Sequence, residues 1–180
     1  MEPLTSSVLV LGGARSGKSS WAEQRLSYAI ELDYVATGYP ALDDGEWQQR
    51  IALHQARRPA SWNTIETLEV ADVLDTDDPK PVMVDCLTVW LTRVLDEVGA
   101  WSAEPGWDDA LRSRTEQLRD AFARTTRPVI AVSNEVGQGI VPADPGSRLF
   151  RDQMGILNTM VAGVVDEVWF CTAGIASRLK

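Results

Sequence analysis

The sixteen residues from Val8 to Glu23, VLVLGGARSGKSSWAE, limit what this chain can fold into more than any other stretch. Val8 to Leu11 are consecutive apolar residues and read as a short buried strand. Gly12, Gly13 and Gly17 then make a turn, and Lys18-Ser19 open a helix. Strand, G-x-x-x-x-G-K-S/T and helix in that order form a phosphate-binding P-loop. Backbone N–H groups close around phosphate oxygens only where no Cβ intrudes. The start of the helix adds the positive end of its dipole. Gly12, Gly13, Ala14, Arg15, Ser16, Gly17, Lys18 and Ser19 are therefore the candidate cradle. Lys18 should reach the β- and γ-phosphates, and the Ser19 hydroxyl should ligate Mg²⁺. The motif predicts a bound nucleoside triphosphate.

At 180 residues the chain suits a single domain, 1–180, with a substantial core. Its net charge of −9 argues against nucleic acid or an anionic membrane as the main partner. No apolar run is long enough for a membrane span, and the start of the chain lacks the basic flank and apolar core of a signal peptide. Cys86 and Cys171 are far apart and carry no second ligand pattern, so two buried thiols in a reducing cytoplasm are expected. The seven tryptophans should serve the core or an interface, with one or two free to line a ligand surface.

Along the chain, a helix is expected from Lys18 to about Ile30, with Trp21, Leu26, Ala29 and Ile30 as its apolar stripe. Tyr34 to Ala36 is a brief strand ended by Thr37-Gly38. A second helix, about Glu46 to Arg57, places Arg50, His54 and Arg57 on one face, with Arg58 beside them before Pro59. Nearby cations disfavour imidazolium and keep His54 neutral, as a nucleophile or general base requires, and guanidinium groups hold phosphate bidentately. A solvated basic face gives the same pattern, and residue chemistry leaves the two readings open.

An extended piece with Trp62, Thr64 and Glu66 follows, and then an acidic surface connection from Val70 to Pro81. Val82 to Asp85 is an apolar strand ending in a carboxylate, the Walker-B pattern that places Mg²⁺ beside the P-loop serine. An Asp that caps the next helix fits the same residues. Leu87 to Val98 and Asp108 to Arg124 read as helices, separated by a loop with Trp101 and Pro105. Val129 to Val132 is a further strand leading into Ser133 to Glu135, and the glycine- and proline-broken VGQGIVPADPGS reads as a functional loop. A helix from Arg148 to Val164, a strand from Val168 to Cys171, a turn at Gly174 and a short tail complete the chain.

Short apolar strands alternating with helices imply an α/β fold of P-loop NTPase type, its mostly parallel sheet covered by helices on both faces. Ligands on such sheets bind at the strands' carboxyl ends, where the P-loop, Thr37, Asp85 and Ser133 to Glu135 would converge.

Several blocks together resemble one family, the bifunctional adenosylcobinamide kinase and adenosylcobinamide-phosphate guanylyltransferase of cobalamin biosynthesis. They are GGARSGKSSWAE, YVATG, RIALHQARRPASWNTIE, VDCLTVWLT, SNEVGQGIVP, RLFRDQMGILN and DEVWFCTAGI, in order from Gly12 to Ile175. The resemblance implies two reactions. ATP or GTP phosphorylates adenosylcobinamide, and GMP then passes from GTP through a guanylylated histidine, His54 by position, to adenosylcobinamide phosphate. The resemblance also implies GTP contacts at Ala36, Thr37, Gly38, Gln55, Ala56, Arg57, Arg58, Glu66 and Asp85, and Mg²⁺ on Ser19 and Asp85. Glu66 and Asp85 each suit guanine's paired N–H donors or the metal, and the sequence does not divide the roles. A cytoplasmic homo-oligomer, often a trimer, goes with the family. The P-loop alone is also consistent with a simple small-molecule kinase or a nucleotide-gated regulatory protein.

Overall fold

A computed structural model of the chain describes residues 4–38 and 59–180. Its centre is one seven-stranded sheet in the order β3-β2-β4-β5-β1-β6-β7. The strands are β1 (Ser7–Gly12), β2 (Leu32–Ala36), β3 (Trp62–Glu66), β4 (Val82–Asp85), β5 (Val129–Asn134), β6 (Glu167–Thr172) and β7 (Ile175–Arg178). All pair in parallel except β6 with β7, which form an antiparallel hairpin. The helices are α1 (Lys18–Arg25), α2 (Val70–Leu74), α3 (Leu87–Glu97), α4 (Trp107–Arg124) and α5 (Pro145–Val164), with a 3₁₀ turn at Ala100–Ser102.

Strand alternation divides the core in two. Leu9, Val35, Val84, Val129, Ala131 and Val168 face α2, α3, α4 and α5. Val8, Val10, Tyr34, Met83, Ile130 and Val132 face the other way, against Ala22 and Leu26 at α1 and Leu4 before β1. Both sheet faces are thus covered, and the central strands are apolar on both sides, as a parallel sheet requires.

Several expected elements are corrected. The first helix ends at Arg25 rather than near Ile30. Beyond it the chain turns so that the Tyr28 hydroxyl accepts from Leu4 N–H at 2.9 Å and Trp62 Nε1 donates to the Ala29 carbonyl at 3.3 Å, leaving Ile30 82% exposed. The connection expected after Val70 begins with α2, which buries Val70, Ala71 and Leu74. Pro145, Gly146 and Ser147, expected in the loop, form the first turn of α5, where Asp144 accepts from Ser147 N–H at 2.7 Å. The tail after Gly174 is a strand, β7. Of the two expected buried thiols, Cys171 is buried, Cys86 is half-buried as a residue with its thiol withdrawn from solvent, and both are free.

Candidate active site

The P-loop follows β1, whose C-terminal end lies between β5 and β6. Its shape depends on two glycines. A Cβ on Gly12 would lie 2.5 Å from Ser16 Oγ and 2.6 Å from the Cys171 carbonyl oxygen, so no side chain fits. Gly17, with φ of +93°, would set a Cβ 3.0 Å from Gly174 Cα, against the β6–β7 turn. That turn is bonded to the loop, since Gly174 N–H donates to the Ser16 carbonyl at 2.9 Å. Ser16 N–H in turn donates to the Gly13 carbonyl at 3.3 Å, which closes the turn. Ser16 is buried, and its Oγ has no hydrogen-bond partner among the described residues. A buried hydroxyl without a partner inside a glycine turn is an observation a phosphate oxygen would explain.

Lys18 opens α1 and donates its Nζ to the Gly13 carbonyl at 3.0 Å. Burial lowers its pKa, against opposing raises from the Cys86, Asp85 and Cys171 groups. Asp85 therefore shares an electrostatic neighbourhood with Lys18 across the intervening strand β5. Burial, with the Asp85 charge beside it, pushes the Cys86 thiol up to about 11, so it stays protonated and inert at neutral pH.

Asp85 is held from β2. The Tyr34 hydroxyl donates to Asp85 Oδ2, and Thr37 N–H donates to the Asp85 carbonyl at 3.4 Å. Thr37 Oγ1 donates to the Cys86 carbonyl at 2.8 Å and accepts from Cys86 N–H at 3.1 Å. The fully buried Thr37 side chain thus fixes the turn that carries Asp85. Tyr34 is a site residue that sequence reasoning misses; its one signal is a phenol hydroxyl next to the apolar Val35 and Ala36.

The sheet register orders the remaining residues. Glu66, Ala36 and Asp85 form one row across β3, β2 and β4. With strands about 4.8 Å apart, Asp85 lies about 10 Å from β1 across the sheet and Glu66 about 19 Å. The structure therefore groups Gly12 to Ser19 with Asp85, and sets the exposed Glu66 on the edge strand beyond Ala36 and Thr37. His54, Gln55, Ala56, Arg57 and Arg58 lie outside the described residues, between Gly38 and Pro59.

Two solved structures of type III secretion ATPases share this architecture. One is EscN from enteropathogenic E. coli, with a TM-score of 0.57, 15% identity, and coverage of 94% of this chain and 43% of that one. The other, a prototypical ATPase of such a system from pathogenic bacteria, gives 0.55, 16%, 94% and 51%. At these identities the likeness shows the P-loop ATPase fold. Sequence relatives are far closer. The bifunctional adenosylcobalamin biosynthesis protein CobU of Salmonella typhimurium is 39% identical over 96% of this chain and 99% of its own length. CobP of Pseudomonas aeruginosa is 38% identical over 96% of each chain. The family model described as cobinamide kinase / cobinamide phosphate guanyltransferase matches residues 8–179. With its P-loop, its acid-ended β4 and the RIALHQARRP block in one chain, this protein belongs to the cobinamide kinase / cobinamide phosphate guanyltransferase family.

Proposed function

We propose that this chain phosphorylates adenosylcobinamide with ATP or GTP and then transfers GMP from GTP to the resulting phosphate. The observation that carries the reading is that the sheet brings Lys18 and Asp85 to the same end of its strands, beside a glycine turn with no room for a Cβ. In the first reaction the aminopropanol hydroxyl oxygen attacks the γ-phosphorus, the bond to the leaving nucleoside diphosphate breaks, and the hydroxyl proton is released. Lys18 and the P-loop amides meet the charge that develops on the phosphoryl oxygens. In the second, a His54 nitrogen attacks the α-phosphorus of GTP and pyrophosphate leaves. The phosphate of adenosylcobinamide phosphate then displaces His54 and takes the GMP. Arg57 and Arg58 suit the phosphates of GTP, Gln55 and Ala56 the same nucleotide, and Glu66 the guanine edge.

Ser19 and Asp85 would hold Mg²⁺. A hydroxyl and a carboxylate are hard oxygen donors, and they suit a cation whose other ligands are phosphates and water. When bound, Mg²⁺ neutralises phosphate charge. Among the described residues no helix is long and apolar enough to cross a membrane. A cytoplasmic homo-oligomer, trimeric by the family resemblance, completes the reading, and light scattering on a sizing column gives the subunit count.

Intact mass after incubation with Mg²⁺ and GTP, without corrinoid, tests the covalent route. A GMP-sized, acid-labile adduct is expected on the wild type and not on His54→Ala. An adduct that persists in His54→Ala moves the nucleophile elsewhere. No adduct, with GTP bound, leaves a simple kinase.

A further inference from the structure

Asn134 ends β5, the strand between the P-loop strand β1 and the Asp85 strand β4. In register it stands opposite Gly12, and the following amide, Glu135 N–H, donates to the Gly12 carbonyl at 3.1 Å. Both of its backbone groups are clamped. Its N–H donates to Thr88 Oγ1 at 2.8 Å, and its carbonyl accepts from Asn158 Nδ2 at 3.0 Å. Asn158, buried on α5, is itself fixed by Ser133 Oγ, which donates to its Oδ1 at 2.7 Å. Strand alternation places Asn134 on the face of Ile130 and Val132, the face that carries α1.

So firmly held a residue leaves its side-chain oxygen unused. Asn134 Oδ1 is buried and has no hydrogen-bond partner among the described residues. A buried acceptor of this kind calls for a donor. Phosphate oxygens are themselves acceptors and would repel it. Lys18 already donates to the Gly13 carbonyl, and the donor that arrives with the substrate is the hydroxyl to be phosphorylated. We infer that Asn134 is a catalytic residue of the phosphoryl transfer, its Oδ1 accepting the hydrogen of the attacking hydroxyl and aligning that oxygen with the terminal phosphorus. The new bond joins the hydroxyl oxygen to phosphorus, the bond to the leaving nucleoside diphosphate breaks, and the proton goes to solvent. An amide oxygen is too weak a base to keep it, so the contribution is orientation.

The inference rests on the kinase reading above, and the test separates the two. Phosphorylation of adenosylcobinamide at saturating nucleotide is measured for wild type, Asn134→Ala and Asn134→Asp. Nucleotide Kd, His54 guanylylation by intact mass and melting temperature are measured alongside. Asn134→Ala is expected to lower kcat by about 10²-fold, the scale of a small misplacement of reacting groups, with Kd and guanylylation unchanged. Asn134→Asp keeps an acceptor oxygen of the same shape; its charge weakens nucleotide binding, but at saturating nucleotide its kcat should exceed that of Asn134→Ala. If Asn134→Asp is the poorer of the two, the amide donates to phosphate and the inference falls. A loss of Kd matching the loss of kcat means that Asn134 holds the nucleotide or Lys18, and also overturns it. An unchanged kcat in a folded Asn134→Ala removes any role. A wild type that does not phosphorylate adenosylcobinamide sinks the kinase reading and this inference with it.

Discussion

Lys18 turns its ammonium back onto the Gly13 carbonyl while burial disfavours its charge. The free protein therefore releases this proton below the ordinary lysine pKa of 10.5. Bound phosphate needs the charged form. Nucleotide affinity should then be flat at neutral pH and fall as pH rises past the lowered value, a limb that equilibrium binding across alkaline pH will show. Lys18→Arg, whose guanidinium does not titrate in this range, should remove that limb. Folding follows the opposite sign, because the depressed pKa penalises the free protein while Lys18 is charged, and the penalty fades as pH rises. Gly12→Ala makes a separate case. Its methyl would meet the Cys171 backbone oxygen as well as Ser16, and backbone cannot swing aside, so the loop must distort. Triphosphate binding should be lost in calorimetry while the far-UV dichroism of the sheet and helices persists.

At the opposite end of the strands, one arginine ties four elements together. Arg127, just before β5, donates to Asp33 Oδ2 on β2 at 2.6 Å, to the Lys80 carbonyl before β4, and to the Val73 carbonyl and Thr76 Oγ1 at the end of α2. Arg127 and Asp33 are almost fully buried. Burial alone would push Asp33 up, but hydrogen bonds from Arg127 and Asn63 and the Arg127 charge hold it below the ordinary 3.8. Its stabilisation is present above that value and is lost as pH falls through the lowered one. Asp33→Asn should cost about 3–5 kcal/mol in urea unfolding, because Arg127 stays buried without its partner charge. Legibility in the sequence follows the same division between local and distant contacts. The apolar runs before Gly12, Ala36, Asp85 and Ser133 disclosed the strands, and the P-loop marked the end of the sheet where the candidate site is proposed. The helix α2 was hidden because three buried residues among acids make too short a pattern for helical periodicity. The hairpin was hidden because its turn pairs Gly174 with Ala173, an alanine at φ +52°, where a second glycine or an asparagine is usual. The clamps on Asn134 come from Thr88 and Asn158, 46 and 24 residues away, and no local pattern records them.

Across the whole molecule, a net charge of −9 surrounds the proposed triphosphate site, and on that reading the attraction is local to Lys18 and the loop amides. Nucleotide binding should consequently be visible as stability. At about 100 times Kd, a ligand of the native state adds about 2.7 kcal/mol. For a chain of this size that raises Tm by roughly 5–10 °C, which thermal melts with and without Mg²⁺-nucleotide will read. Lys18→Ala should melt near the wild type without ligand and show little of the shift.

The pairing of β1 also sets a schedule. β1 is synthesised early, yet its sheet neighbours are β5 and β6, and the glycine loop behind it rests on Gly174. At about 5–20 residues per second, a ribosome takes on the order of ten seconds or more to reach them. Until then the first strand is an unpaired apolar segment, and the loop proposed to grip phosphate has nothing at its back. Nascent chains halted before Glu167 should not retain nucleotide, and chains released after Arg178 should.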